Sequence, residues 1–129
     1  MANNNLGQRS KILIVDDEVD FLKILKLRLE ANGYEVTTAL DGQEALEKIK
    51  SENPNVVILD IMLPKLNGEE VCRGIRRDPV FNKIPIIMLT GKDTDVDHIV
   101  GRVIGADIYL TKPCDSEKLI GAIKKVLRS

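Results

Sequence analysis

Nowhere in the 129-residue sequence is there an apolar run long enough to cross a bilayer, and the opening MANNNLGQRSK holds no apolar stretch at all. A soluble, unprocessed chain is expected, with residues 1–10 as a flexible tail and one domain over 11–129. Cysteine is scarce: Cys72 and Cys114 lie far apart and are too few for a disulfide framework, which points to free thiols and a reducing, cytoplasmic setting. An excess of one charge is missing too. With 19 basic and 20 acidic side chains the net charge is −1, so there is no basis for the broad basic face that nucleic-acid binding by charge requires. Neither repeats nor low-complexity segments interrupt the chain. The single histidine, His98, sits on a polar helix turn and reads as a surface residue rather than a phosphodonor or metal ligand.

What is present is enough for one continuous core, since 43% of the residues are hydrophobic. Short apolar runs bounded by turn residues alternate with stretches whose apolar positions recur every three or four residues. The runs over 12–15, 56–59, 86–89 and 108–110 read as strands, and Tyr34, Val36 and Thr38 mark a weaker, edge-like one. Between them, Leu22, Leu25 and Leu29 form a helical stripe stopped by Asn32 and Gly33. Ala45, Leu46 and Ile49 form another, closed by Asn53 and Pro54. Val71, Cys72 and Ile75 mark a third helix, and Val96, Ile99, Val100 and Val103 a fourth that Gly101 weakens. Leu119, Ile123, Val126 and Leu127 line the last, with Asp115 or Ser116 as its cap. Strand and helix in alternation predict an α/β domain with a parallel sheet covered on both faces. In such sheets the working crevice lies beyond the carboxyl ends of the strands.

The residues at those ends are Asp16 and Asp17 after the first strand, Asp60 after the third, Thr90 after the fourth and Lys112 after the fifth. A lone Asp after a strand is most often a cap or a turn residue, and a lone lysine a solvated charge. Converging from four loops, they are read as a site. Three carboxylates in one cleft repel one another unless a divalent cation sits among them. Magnesium (Mg2+) suits hard oxygens and keeps positions for water and phosphate, whereas calcium usually takes more protein oxygens. A carboxylate held this way can attack phosphorus to give an acyl phosphate, with Lys112 as charge partner and Thr90 as hydroxyl donor.

The segments ILIVDDE, VVILDIMLPKLNGEE, IPIIMLTG and GADIYLTKP, in this order and spacing, resemble the response-regulator receiver domain of two-component signalling over nearly the whole chain. The resemblance implies a flavodoxin-like, doubly wound (βα)5 fold with a five-stranded parallel sheet in order 2-1-3-4-5. It implies that Asp60 accepts a phosphoryl group from a histidine kinase or phosphotransfer protein, with no catalysis beyond self-phosphorylation and autodephosphorylation. Asp17 and Asp60 match direct magnesium ligands, Asp16 an acid acting through water, and Met62 a backbone-carbonyl ligand. Lys112 matches the lysine that pairs with a phosphoryl oxygen, and Pro113 a proline commonly preceded by a cis bond. Thr90 and Tyr109 match a switch pair, and Pro64 and Gly68 the turn after the acceptor. The switched surface, built in the family from the fourth helix, last strand and last helix, is read by a downstream effector protein or domain. No nucleic acid or membrane contact is implied, and the chain is expected as a monomer or weak homodimer.

Ile108, Lys118 and Ala122 stand where many DNA-binding relatives carry the acids and arginine of a salt-bridged dimer, so that dimer is not carried over. Cys114 replaces a common phenylalanine, and Met62 and Lys92 occupy positions that tune phosphoryl lifetime in the family. Two other functions fit the sequence less well. A haloacid-dehalogenase-type phosphohydrolase needs an acid two residues after its nucleophile, where this chain has Val19 or Met62. A docking-only pseudo-receiver typically lacks one of the acids, all of which are here.

Overall fold

The computed structural model describes residues 9–91 and 105–128. Five strands, β1 (Lys11–Val15), β2 (Glu35–Ala39), β3 (Val56–Asp60), β4 (Ile86–Thr90) and β5 (Ile108–Thr111), form one sheet in the order β2-β1-β3-β4-β5. Every pairing is parallel. Four helices are described: α1 (Val19–Ala31), α2 (Gly42–Glu52), α3 (Gly68–Arg77) and α4 (Ser116–Leu127). This is the flavodoxin-like receiver fold expected from the sequence. The helix expected over 96–103, with Gly101, Lys92 and His98, lies outside the described residues.

Alternation along each strand divides the core in two. Leu13, Val15, Val57, Leu59, Ile86 and Met88 turn to α2 and α3, while Ile12, Ile14, Val56, Ile58, Ile87 and Leu89 turn to α1 and α4. β1, β3 and β4 are buried on both faces, which is why they read as unbroken aliphatic runs. β2 pairs only with β1 and is indeed an edge. Phe21 packs against the α1/α4 core and Tyr109 against the other.

Local sequence explains where helices begin and end. Asn67 and Glu70 form a reciprocal capping box at the start of α3, and Asp41 and Asp115 cap α2 and α4 through the amides of Glu44 and Lys118. The cap of α4 is therefore Asp115 rather than Ser116. Gly33 (φ 93) follows α1, and Asn53 (φ 50) ends α2 in the left-handed region with its N–H on the Ile49 carbonyl. At the strand-start pole, Arg76 donates to the carbonyls of Asn82, Ile84 and Gly105 and to Asp107, which also accepts from the Ile86 amide. That clamp fixes the far ends of β4 and β5.

Candidate functional site

Parallel strands bring all their carboxyl ends to one pole, and their register levels the site. Val15 stands beside Leu59, Asp60 beside Leu89, and Thr90 beside Thr111. Asp16 and Asp60 thus emerge at the same height on adjacent strands, with Lys112 one residue beyond β5. Asp16, Asp60 and Thr90 are the buried polar residues among those described, and Asp17 is exposed.

Each buried carboxylate oxygen has a donor, as burial of a charge requires. Asp16 accepts from the Glu18 amide at 2.8 Å and from Lys112 Nζ at 2.7 Å. Asp60 accepts from the Met62 amide at 3.0 Å on Oδ1 and from Lys112 Nζ at 3.3 Å on Oδ2. Burial pushes the Asp60 carboxyl above its ordinary value, helped by the charge of Asp16, while the Met62 amide and Lys112 only partly offset it. Burial on its own would lower the Lys112 pKa, but hydrogen bonds to Asp16 and Glu18 and the charge of Asp60 raise it above the ordinary lysine value. Lys112 is therefore a fixed cation. Its amide donates to the Thr90 carbonyl at 2.7 Å, and the Lys112–Pro113 bond is cis.

One oxygen each of Asp16, Asp17 and Asp60 lie within 4.8 Å of one another. Three hard anionic donors around a single ammonium leave negative charge uncompensated, and this donor set fits a small oxygen-seeking dication such as magnesium. Gly68, the first residue of α3, donates its amide to the Ile61 carbonyl. A Cβ there would strike the Asp60 carbonyl and the Ile61 Cα. The turn after Asp60 is thus built around a missing side chain.

The structure places the remaining expected residues close by but in different surroundings. The Thr90 hydroxyl donates to the Leu110 carbonyl at 3.4 Å, not to Asp60. Tyr109 is half-buried, on the sheet face it shares with its register partner Met88, and burial raises its phenol pKa. The Met62 side chain is exposed while its amide is engaged by Asp60. Two neighbours were missed from sequence: Glu18, 2.8 Å from Lys112 Nζ, and Phe21, whose ring centroid lies 4.7 Å from the same nitrogen. The available signal for Glu18 was the third acid of the DDE run. Phe21 had none beyond its place one helical turn later.

Three comparisons place this geometry among known proteins. The family described as "Response regulator receiver domain" matches residues 12–124. The chain is 46% identical over 118 residues to the "Alkaline phosphatase synthesis transcriptional regulatory protein PhoP" of Bacillus subtilis (strain 168), covering 92% of this chain and 48% of that protein. It spans about half the length of the curated relatives it matches. Among solved structures it is similar to a CheY-like response regulator receiver domain protein from Methanospirillum hungatei JF-1, with TM-score 0.84 and 34% identity over 94% of this chain and 95% of that one. It is also similar to the chemotaxis response regulator CheY4 of Vibrio cholerae, with TM-score 0.84 and 33% identity over 92% and 99% of the two chains.

Proposed function

Because this chain belongs to the response-regulator receiver family of two-component systems, we propose that it takes a phosphoryl group on Asp60 from a histidine kinase or phosphotransfer protein and thereby switches a surface read by an effector. The observation that carries this reading is the Asp60 carboxylate itself: buried, raised in pKa, and held by the Met62 amide on one oxygen and Lys112 on the other. A carboxylate so oriented is a prepared nucleophile.

In the transfer, an Asp60 oxygen forms a bond to phosphorus as the phosphorus–nitrogen bond of the donor phosphohistidine breaks. The imidazole leaves with the electron pair and takes up a proton. Asp16, Asp17 and Asp60, with the Met62 carbonyl, would hold magnesium, which when bound supplies charge neutralisation for the transferring group. Lys112 pairs with a phosphoryl oxygen. The Thr90 hydroxyl then leaves the Leu110 carbonyl for the new anion, a move made easy because its 3.4 Å bond is at the weak limit of hydrogen bonding. Tyr109 turns inward behind it. Catalysis is confined to the chain's own phosphorylation and dephosphorylation, and the setting is the cytoplasm, where the phosphodonor works. The chain acts as a single receiver domain over 11–129, either alone or as the input part of a longer regulator.

Intact-mass measurement after incubation with acetyl phosphate and magnesium tests the reading. One phosphoryl increment is expected for the wild type, and none for Asp60→Asn or without the metal. An increment that persists in Asp60→Asn moves the acceptor elsewhere. Steady turnover of varied phosphoesters would favour the hydrolase instead.

A further inference from the structure

We propose that Glu18 and Phe21, one turn apart at the start of α1, are positioning residues that hold the Lys112 ammonium in place for the phosphoryl group. The inference rests on the reading of Lys112 as the phosphoryl partner and adds to it the residues that aim the lysine.

Glu18 occupies the N-cap of α1, where a short Ser, Thr, Asp or Asn satisfies the first amides of a helix. Its side chain makes no capping bond. Its carboxylate lies instead 2.8 Å from Lys112 Nζ, which comes from the far end of the chain. Phe21, half-buried at the edge of the α1/α4 core, places its ring centroid 4.7 Å from the same ammonium. Glu18 is used against the local preference of its position, and such conflicts collect at functional sites.

The other partners of Lys112 have a second task. Asp16 and Asp60 belong to the carboxylate cluster that fits a cation, and Glu18 does not. Glu18 thus serves the lysine outside that cluster, and Phe21 flanks the ammonium from the edge of the α1/α4 core. A free lysine side chain carries rotamer entropy that must be lost on ordering. Here that order exists beforehand, with Asp16, Glu18, Asp60 and the Phe21 ring surrounding the nitrogen. Glu18 is 65% exposed, so solvent screens its charge and its contribution is mainly the geometry of its hydrogen bond. A neutral residue of the same shape should then serve nearly as well.

The experiment compares Glu18→Gln, Glu18→Ala and Phe21→Leu with the wild type, with amide spectra and thermal melts establishing that each is folded. The first readout is the 15N-detected Lys112 ammonium signal, which requires no phosphorylation. The second is the affinity for beryllofluoride, a phosphoryl mimic, with magnesium. The expected result is a slowly exchanging ammonium in the wild type and Glu18→Gln, and its loss in Glu18→Ala and Phe21→Leu with several-fold weaker beryllofluoride binding. Wild-type behaviour of Glu18→Ala in both readouts would overturn the proposal. So would tighter binding by both Glu18 variants, because Glu18 would then compete for the lysine rather than place it. Should the wild type bind beryllofluoride no better than Asp60→Asn, the phosphoacceptor reading fails, and the ammonium signal still decides whether Glu18 and Phe21 order the lysine.

Discussion

At the scale of single residues, the site depends as much on absent atoms as on charged ones. Gly68→Ala would press a methyl group into the backbone of Asp60 and Ile61. A cost of about 1–3 kcal/mol in denaturant unfolding is expected from such overpacking, with slowed phosphoryl acceptance. Asp41 offers a separate test by pH. Its carboxylate accepts from the Glu44 amide and pairs with Lys65, which holds it below its ordinary 3.8. Glu44 is itself engaged with the Leu40 amide and Lys48. A folded pKa below the unfolded one means that this stabilisation is present above the unfolded value and is lost as pH falls through the folded value. Asp41→Asn keeps a capping side chain but loses the charge. Its melting temperature should fall below wild type at neutral pH, and the gap should close in melts taken well under pH 3.8.

The same scale shows what sequence could reveal. Asp16, Asp17, Asp60, Thr90 and Lys112 are legible because each follows an apolar run, and strand ends share one pole by geometry. Glu18 and Phe21 are not. Their meaning comes from a lysine near the other end of the chain, 94 residues from Glu18, and no periodicity within α1 records which way the first turn faces.

At the scale of elements, the helix that follows Asp60 begins with the capping box of Asn67 and Glu70, whose two bonds measure 2.9 and 3.3 Å. Asn67→Ala should reduce stability by about 1 kcal/mol in denaturant titration, the usual loss when a helix loses its cap. The Met62 amide resonance should shift with it, since Asn67 anchors the loop that presents this amide to Asp60. Strand boundaries were legible to within a residue where both faces are buried. The edge strand β2, marked in the sequence by Tyr34, Val36 and Thr38, runs over Glu35–Ala39, with Val36 and Ala39 buried in opposite cores. For α4 the sequence left two candidate caps open, because Asp and Ser are nearly equivalent as N-caps and only backbone geometry chooses between them.

At the scale of the whole molecule, a nearly neutral chain concentrates Asp16, Asp17, Glu18 and Asp60 around Lys112 at one pole. An ion that binds only the folded state stabilises it, by about 2.7 kcal/mol at a concentration one hundred times its dissociation constant. Magnesium should therefore raise the melting temperature of the wild type and do so much less for Asp17→Asn, as differential scanning calorimetry would show. The two cores are wired separately. Phe21 and the lysine arm lie on the α1/α4 side of the sheet, and Tyr109 lies on the α2/α3 side. The sheet separates these two terminals, and Asp60 lies at the end of its central strand. With no phosphoryl group on Asp60 the circuit is open, and a change at Phe21 should leave the Tyr109 ring signals where they were. Once the group is in place, the same change should register on the far side.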